Sequence, residues 1–376
     1  MLDVQSSTIM TASNQWARRP DDERFTNLHS MYDMMLGVEA RSRARVVSSR
    51  DVQFAPNEAD PMNGLQIVGG RGVAEPTNWS FGQLASLAGA PAGYLRKLPA
   101  AIAADALNYG FRYGRAAQDT GLLVTKNADD NGVMVRAATG PNYGRVWNMD
   151  IVADLIRRFG NGIDGEFTVP GEFGKAIDVT KANTTLYASD RDMFVFLANE
   201  KNRIEVPNRR DGQPGSLARG FFVWNSEVGA ATLGIATFLF DYVCCNRIVW
   251  GAQGYKEVRV RHTASAPHRW IEEVMPVIEG YAESSALPVE NMVREAQAAR
   301  IDRELPDFLK NRFGKDFLND STLVGVKAAH EREEGRPIET LWDLSTGITA
   351  YAKTIPHQDA RVDVERKAGK VLDLVV

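Results

Sequence analysis

The residues with the best claim to chemistry lie in three short runs: Asn225-Ser226-Glu227, Cys244-Cys245-Asn246 and Arg261-His262. The first two interrupt long apolar stretches of β type, residues 221–224 and 233–243. Polar groups between buried strands must pair with backbone or face a ligand, because an unpaired buried donor or acceptor is costly. Asn225 and Asn246 can hold strand-end backbone through side-chain hydrogen bonds. Alternatively, Asn225, Ser226, Cys245 and His262 supply the nucleophile and base of a hydrolase or transferase, provided that they converge in one cleft. Both cysteines end an apolar run, where burial raises a thiol pKa, so packed core cysteine is the expected role.

The clearest strand by alternation covers residues 256–263. Val258, Val260 and His262 share one face, while Glu257, Arg259, Arg261 and Thr263 share the other. The rise per residue sets the two arginines about 7 Å apart, comparable to successive phosphates of an extended strand. Lys256 precedes them, and Arg209 and Arg210 sit in a polar, basic segment, residues 199–216, read as a long loop. Phe238, Phe240 and Tyr242 share a face, and aromatics beside arginines make a base-stacking platform. Arg209, Arg210, Lys256, Arg259 and Arg261 are therefore the candidate nucleic-acid contacts. The competing reading is a buried aromatic stripe beside a solvated arginine face.

Familiar nucleotide and metal signatures fail. The Gly171–Lys175 stretch lacks the spacing and the following Ser/Thr of a phosphate-binding loop, and the glycines at 69, 70 and 72 do not form a dinucleotide fingerprint. His330-Glu331 has no second histidine one helical turn on, and His29, His262, His268 and His357 are isolated. No cofactor or metal is expected. Two adjacent cysteines exclude a disulfide framework, and no apolar run reaches the roughly 18 residues of a membrane helix. With no secretory signal at the N-terminus, the expectation is a cytoplasmic protein that binds no membrane. The net charge of −4 excludes a globally basic binder. Charge is unevenly spread: residues 201–270 carry ten Lys/Arg against five Asp/Glu, residues 271–376 fourteen against twenty. That suits a basic central sheet beside an acidic helical flank.

The elements that must position these residues follow from periodicity. The spacing predicts an N-terminal arm over residues 1–75 with a short helix near residues 28–36 and a strand or two after it. An α+β core domain over residues 76–265 follows, then a helical region over residues 266–376. Ser80 and Gln83 fit a capping box at the start of a helix. Residues 100–113 read as a second helix, and residues 122–125 and 133–136 flank a tight-turn signal at Asn131-Gly132. Asn148 is placed as the cap of a helix with an apolar stripe closed by Gly160. The fold class is α+β: a mixed, largely antiparallel sheet with flanking helices and a helical C-terminal region.

As an ordered set, several motifs resemble the phage/plasmid-like protein family described as domain of unknown function 932. They are the segment from Trp224 to Ala230 with Asn225, Ser226 and Gly229, then Tyr242 to Arg247 with Cys245 and Asn246, then Arg261-His262-Thr263. Upstream, Asn142-Tyr143 and Trp147-Asn148 are similar to that family's Tyr and Asn segment before a helix, and residues 341–351 to its C-terminal helix. The likeness spans roughly residues 80–355 and departs at Glu227-Val228, where an Asp-Gly pair is common in the family. It implies a prophage, phage or plasmid origin and the cytoplasm of a bacterial host. It carries over no catalytic residues. The leading expectation is a non-enzymatic accessory protein that binds single-stranded DNA in replication or recombination. The alternatives are the hydrolase or transferase above and a structural or host-interaction protein. Self-association into a homo-oligomer is compatible with each.

Overall fold

The computed structural model describes residues 20–69, 72–114, 119–129, 132–170, 178–182, 184–209, 212–241, 246–248, 258–355 and 358–375. From the N-terminus, β1 (Arg24–Phe25) leads into α1 (Leu28–Ala40), which is capped by Asn27 accepting from Ser30 N. Then follow β2 (Ser42–Ser48), β3 (Gln53–Pro56), β4 (Leu65–Gly69), β5 (Gly72–Pro76), α2 (Asn78–Leu87), α3 (Ala92–Leu95) and α4 (Ala100–Tyr113). A hairpin of β6 (Asp119–Lys126) and β7 (Val133–Thr139) precedes α5 (Asn148–Phe159).

The sheet strands β8 (Leu186–Ala188), β9 (Met193–Ala198), β10 (Ile204–Val206), β11 (Gly215–Asn225), β12 (Leu233–Asp241), β13 (Asn246–Ile248) and β14 (Val258–Val260) come next. The chain ends in helices: α6 (Ala266–Arg269), a π-type turn over Trp270–Val274, α7 (Met275–Glu283), α8 (Leu287–Ala298), α9 (Leu305–Phe313), α10 (Asp320–Glu334), α11 (Leu341–Ala352) and α12 (Gln358–Leu372). The fold is α+β, as the periodicities predict.

Among the described residues the strands form two sheets. One runs β1-β8-β9-β11-β12-β13, with β10 on β11 and β14 on β12, and is antiparallel throughout. The other runs β2-β6-β7-β5-β4-β3 and contains one parallel pair, β5 with β7. Central strands of the first sheet are apolar on both faces. Met193, Val195, Leu197, Phe221 and Val223 enter one core with Leu28, Met31, Leu155, Phe159 and Trp270, whereas Phe194, Phe196, Phe222 and Trp224 face the other way. Burying each such large side chain contributes about 1.5–3 kcal/mol. Helix α5 follows the 3.6-residue period, with Ile151, Val152, Leu155 and Phe159 inward, and stops at Gly160 in a positive-φ conformation.

Three expectations need correcting. Residues read as an N-terminal arm are built, from residue 24 on, into both sheets and the main core. Four strands, β2 to β5, follow α1 in place of one or two, because exposed edge strands such as β2 carry too few apolar residues to be counted. Thr77, not Ser80, caps α2: its Oγ1 accepts from Ser80 N at 3.1 Å, and the Ser80 hydroxyl donates to Val135 O at 2.6 Å. The segment 199–216, read as one loop, contains β10 and the first residues of β11. Among the described residues, no helix is long and apolar enough to cross a membrane, and no group of three His, Cys, Asp or Glu side chains is arranged around a metal position.

Candidate functional site

The turn from Asn225 to Gly229 leaves the end of β11 and is wholly buried up to Val228. Asn225 donates from Nδ2 to Val146 O at 2.8 Å and to Asn148 Oδ1 at 2.7 Å. The Ser226 hydroxyl donates to Arg191 O at 2.6 Å and accepts from Val228 N and Ala230 N at 3.3 and 2.8 Å. Glu227 pairs with Arg136 at 3.1 Å and accepts from Asn148 N at 2.9 Å, where the first turn of α5 presents unsatisfied N–H groups. Gly229 has φ +80°, and a Cβ there would meet Gln83 Nε2 and the Tyr143 ring. Only glycine takes that conformation without strain. The polar junction thus fastens the two sheets together through backbone groups.

A second cluster lies against it. The Tyr143 hydroxyl donates to Ser226 O at 2.8 Å, and its ring stacks on His262 with centroids 4.9 Å apart. His262 Nδ1 donates to Gly144 O at 3.1 Å. Burial, with Arg145 nearby, pushes the His262 pKa down to about 4, against the opposing pull of the Gly144 carbonyl. The ring is neutral at pH 7, an aromatic plane and not a cation. The Arg145 guanidinium lies 5.2 Å from the Tyr143 centroid and 5.7 Å from that of Trp147. Burial also lowers the Arg145 pKa and raises that of Tyr143, which keeps the phenol protonated. Gly144 is fixed by its own N–H to His262 O, and a side chain there would strike Thr263.

The predicted residues meet different fates. Arg209 is 1% exposed and bonds Glu334 through Nε at 2.9 Å, with its guanidinium over Trp342. It cannot neutralise a phosphate, because Glu334 of the acidic tail helix α10 already neutralises it. Arg210, Tyr242, Cys244, Cys245 and Lys256 lie outside the described residues, as do the side chains of Phe238 and Phe240; Asn246 opens β13, paired with Asp241.

Strand β14 ends at Val260, before the Thr263 that its pattern suggests. Val260 faces the core, and Arg259 lies on the other face, its guanidinium 6.0 Å from the Trp224 ring. Trp224, Gly234 and Arg259 form one row across three strands, and the absent side chain at Gly234 makes room for the indole. Arg261 is exposed just beyond the strand, and among the described residues no ion pair involves it.

Asn225 and Asn148 come together, but Ser226 and His262 do not form a nucleophile–base pair. The serine hydroxyl is committed to Arg191 and the turn, and His262 Nδ1 to Gly144. Asn148 is the first residue of α5 and not its cap, since its side chain is used by Asn225.

Sequence reasoning missed the residues on the outer side of this junction. Trp79 donates from Nε1 to Val228 O at 3.1 Å, and Gln83 donates to the same carbonyl at 2.8 Å while accepting from Ala138 N at 3.0 Å. Both line a surface groove of about 450 Å³ that also meets Arg96, Arg191, Gly82 and Gly140. A larger cleft, about 720 Å³, is lined by Met34, Met35 and Met134 together with the Arg136–Glu227 pair. Arg96 and Arg191 carry no local signature, and the nearest sequence signal, Gln83, reads as a helix cap. No family model matches the chain, and neither a curated protein nor a solved structure does.

Proposed function

We propose that this protein binds single-stranded nucleic acid at the surface where Arg261 leaves β14. The observation that carries the reading is the exposed Arg261, which follows β14 on the basic ribbon and directly precedes His262 of the Tyr143–His262 stack. Phosphates of an unpaired strand meet such a cation, and its guanidinium plane offers a surface on which a free base stacks. Duplex DNA offers no free base faces, so single strands are the preferred ligand. Arg259 belongs to the same ribbon; Arg209 does not. The ordered motifs that resemble domain of unknown function 932 add a phage or plasmid setting and a bacterial host cytoplasm to this reading.

The test is fluorescence anisotropy with a labelled oligo(dT) and a labelled duplex at low and moderate salt. The expected result is single-strand binding that weakens at least about tenfold in R261E, with a shallower salt slope, since each phosphate contact on a single strand contributes about −0.7 to it. An affinity indifferent to R261E, or no binding at low salt, overturns the proposal.

A further inference from the structure

The groove beside the 225–229 turn has the composition of an anion site. Arg96 and Arg191 stand at its rim, and none of its lining residues is a carboxylate. Arg96 is held in place before any ligand arrives: Nε donates to Asn78 Oδ1 at 3.1 Å, Nη2 to Asn78 O at 2.8 Å, and the guanidinium lies 4.9 Å from the Phe81 centroid. Those two bonds leave Nη1 for a ligand. Arg191 makes only a loose pair with the exposed Asp190, 3.6 Å away, of a kind that a bound anion displaces at little cost. The Trp79 indole is fixed by its bond to Val228 O.

The walls are bare by sequence. Gly82 lies inside α2, where glycine costs about 1 kcal/mol of helix stability relative to alanine. A Cβ there would meet nothing nearer than Arg96 Nη2 at 3.7 Å, and one at Gly140 would meet nothing within 4 Å. The volume, about 450 Å³, falls in the range of small-molecule pockets.

We infer that this groove is a nucleotide pocket that takes one nucleoside monophosphate unit. The base lies against Trp79, the phosphate between Arg96 and Arg191, and the Asn78 Nδ2 faces the base edge. The unit can be a free nucleotide or the terminal nucleotide of a strand. The pocket adjoins the Tyr143–His262 stack through Gly229, which separates Gln83 from the Tyr143 ring. It extends the single-strand reading to a neighbouring site but stands on its own residues.

The experiment is calorimetric titration of the full chain with dTMP, thymidine, inorganic phosphate and a 5′-phosphorylated oligo(dT) beside its unphosphorylated form. The expected result is dTMP binding at or below about 1 mM, with thymidine and phosphate each at least about tenfold weaker. R96A and R191A lose about tenfold or more, as one charge-assisted contact predicts. Gly82→Leu abolishes binding by filling the groove; leucine favours the helix, and a thermal melt matching that of the native chain separates this loss from unfolding. Trp79→Phe retains binding that Trp79→Ala loses.

A gain from the 5′-phosphate that R96A and R191A remove identifies a strand end as the ligand. Equal affinity for both oligonucleotides, with dTMP still bound, identifies the free nucleotide. No dTMP binding, or dTMP binding untouched by R96A, R191A and Gly82→Leu, overturns the pocket. If oligo(dT) binding then still depends on Arg261, the single-strand reading survives that failure. Groove binding of dTMP with oligo(dT) affinity indifferent to R261E marks the reverse.

Discussion

Asn225 and Asn148, far apart in the chain, meet side chain to side chain at 2.7 Å and tie the end of β11 to the start of α5. The same Asn225 amide donates to Val146 O, so one buried group satisfies two acceptors at once. Glu227 completes the knot by accepting from the Asn148 N–H while holding Arg136. Around these contacts Val228 packs with Leu123 and Ala137 of the second sheet, beside Trp79 and Trp147. The motif that looked most like an active site is the joint between two sheets.

That arrangement predicts a stability effect from a nearly isosteric change. Asn225→Ala strands two buried acceptors and is expected to cost about 2–4 kcal/mol, from one to two unmet hydrogen bonds. Asn225→Asp is expected to cost more at neutral pH, because its carboxylate would face Val146 O and Asn148 Oδ1, two acceptors, beside Glu227. Equilibrium urea unfolding measures both; equal stability of the aspartate variant and the native chain would contradict the assigned donor roles.

Arg209 and Glu334 make a contrasting prediction. Both are 1–2% exposed, and breaking a buried ion pair from one side leaves an uncompensated charge. Glu334→Ala is therefore expected to lose about 3–5 kcal/mol, and the double change Arg209→Met with Glu334→Leu to recover most of it. Oligo(dT) affinity should be the same in that folded double variant as in the native chain, which anisotropy checks directly.

A third prediction concerns acid. The folded pKa of His262 lies near 4, below its ordinary value of 6.5, so the folded state favours the neutral ring. Its contribution to stability is complete above pH 6.5 and is lost progressively as pH falls toward 4, to at most about 3 kcal/mol. Burial lowers the His330 pKa as well, against the pull of Asp343, and adds a loss of the same sign. His262→Phe keeps a ring on Tyr143 and removes the titration. Thermal melts from pH 7 to pH 4 should show a shallower fall in Tm for this variant; an identical slope would remove His262 as a source of the acid sensitivity.

Much of the fold is legible from residue order alone, because local periodicity and turn chemistry fix single elements. Residues 100–113, the β6–β7 hairpin, the α5 stripe closed by Gly160, and Leu341–Ala352 all form where their patterns place them. What periodicity cannot supply is which polar groups meet. Counting cations over residues 201–270 suggested a basic surface, yet Arg209 and Arg219 are buried, one on Glu334 and the other on Ser284. Alternation placed Arg259 and Arg261 on one face, but β14 ends between them.

The sequence by itself determined the class of fold, the positions of several helices and the identity of the polar junction, since these depend on neighbours within a few positions in the chain. Only the tertiary structure decided that Ser226 is spent on Arg191 O, that His262 lies neutral against Tyr143, and that Trp79, Arg96 and Arg191 border one groove. Those outcomes depend on contacts between segments roughly 35 to 150 positions apart, as Ser226 with Arg191 and Trp79 with Val228 illustrate. Which long-range partner satisfies a buried donor is set by packing, and no local pattern encodes it.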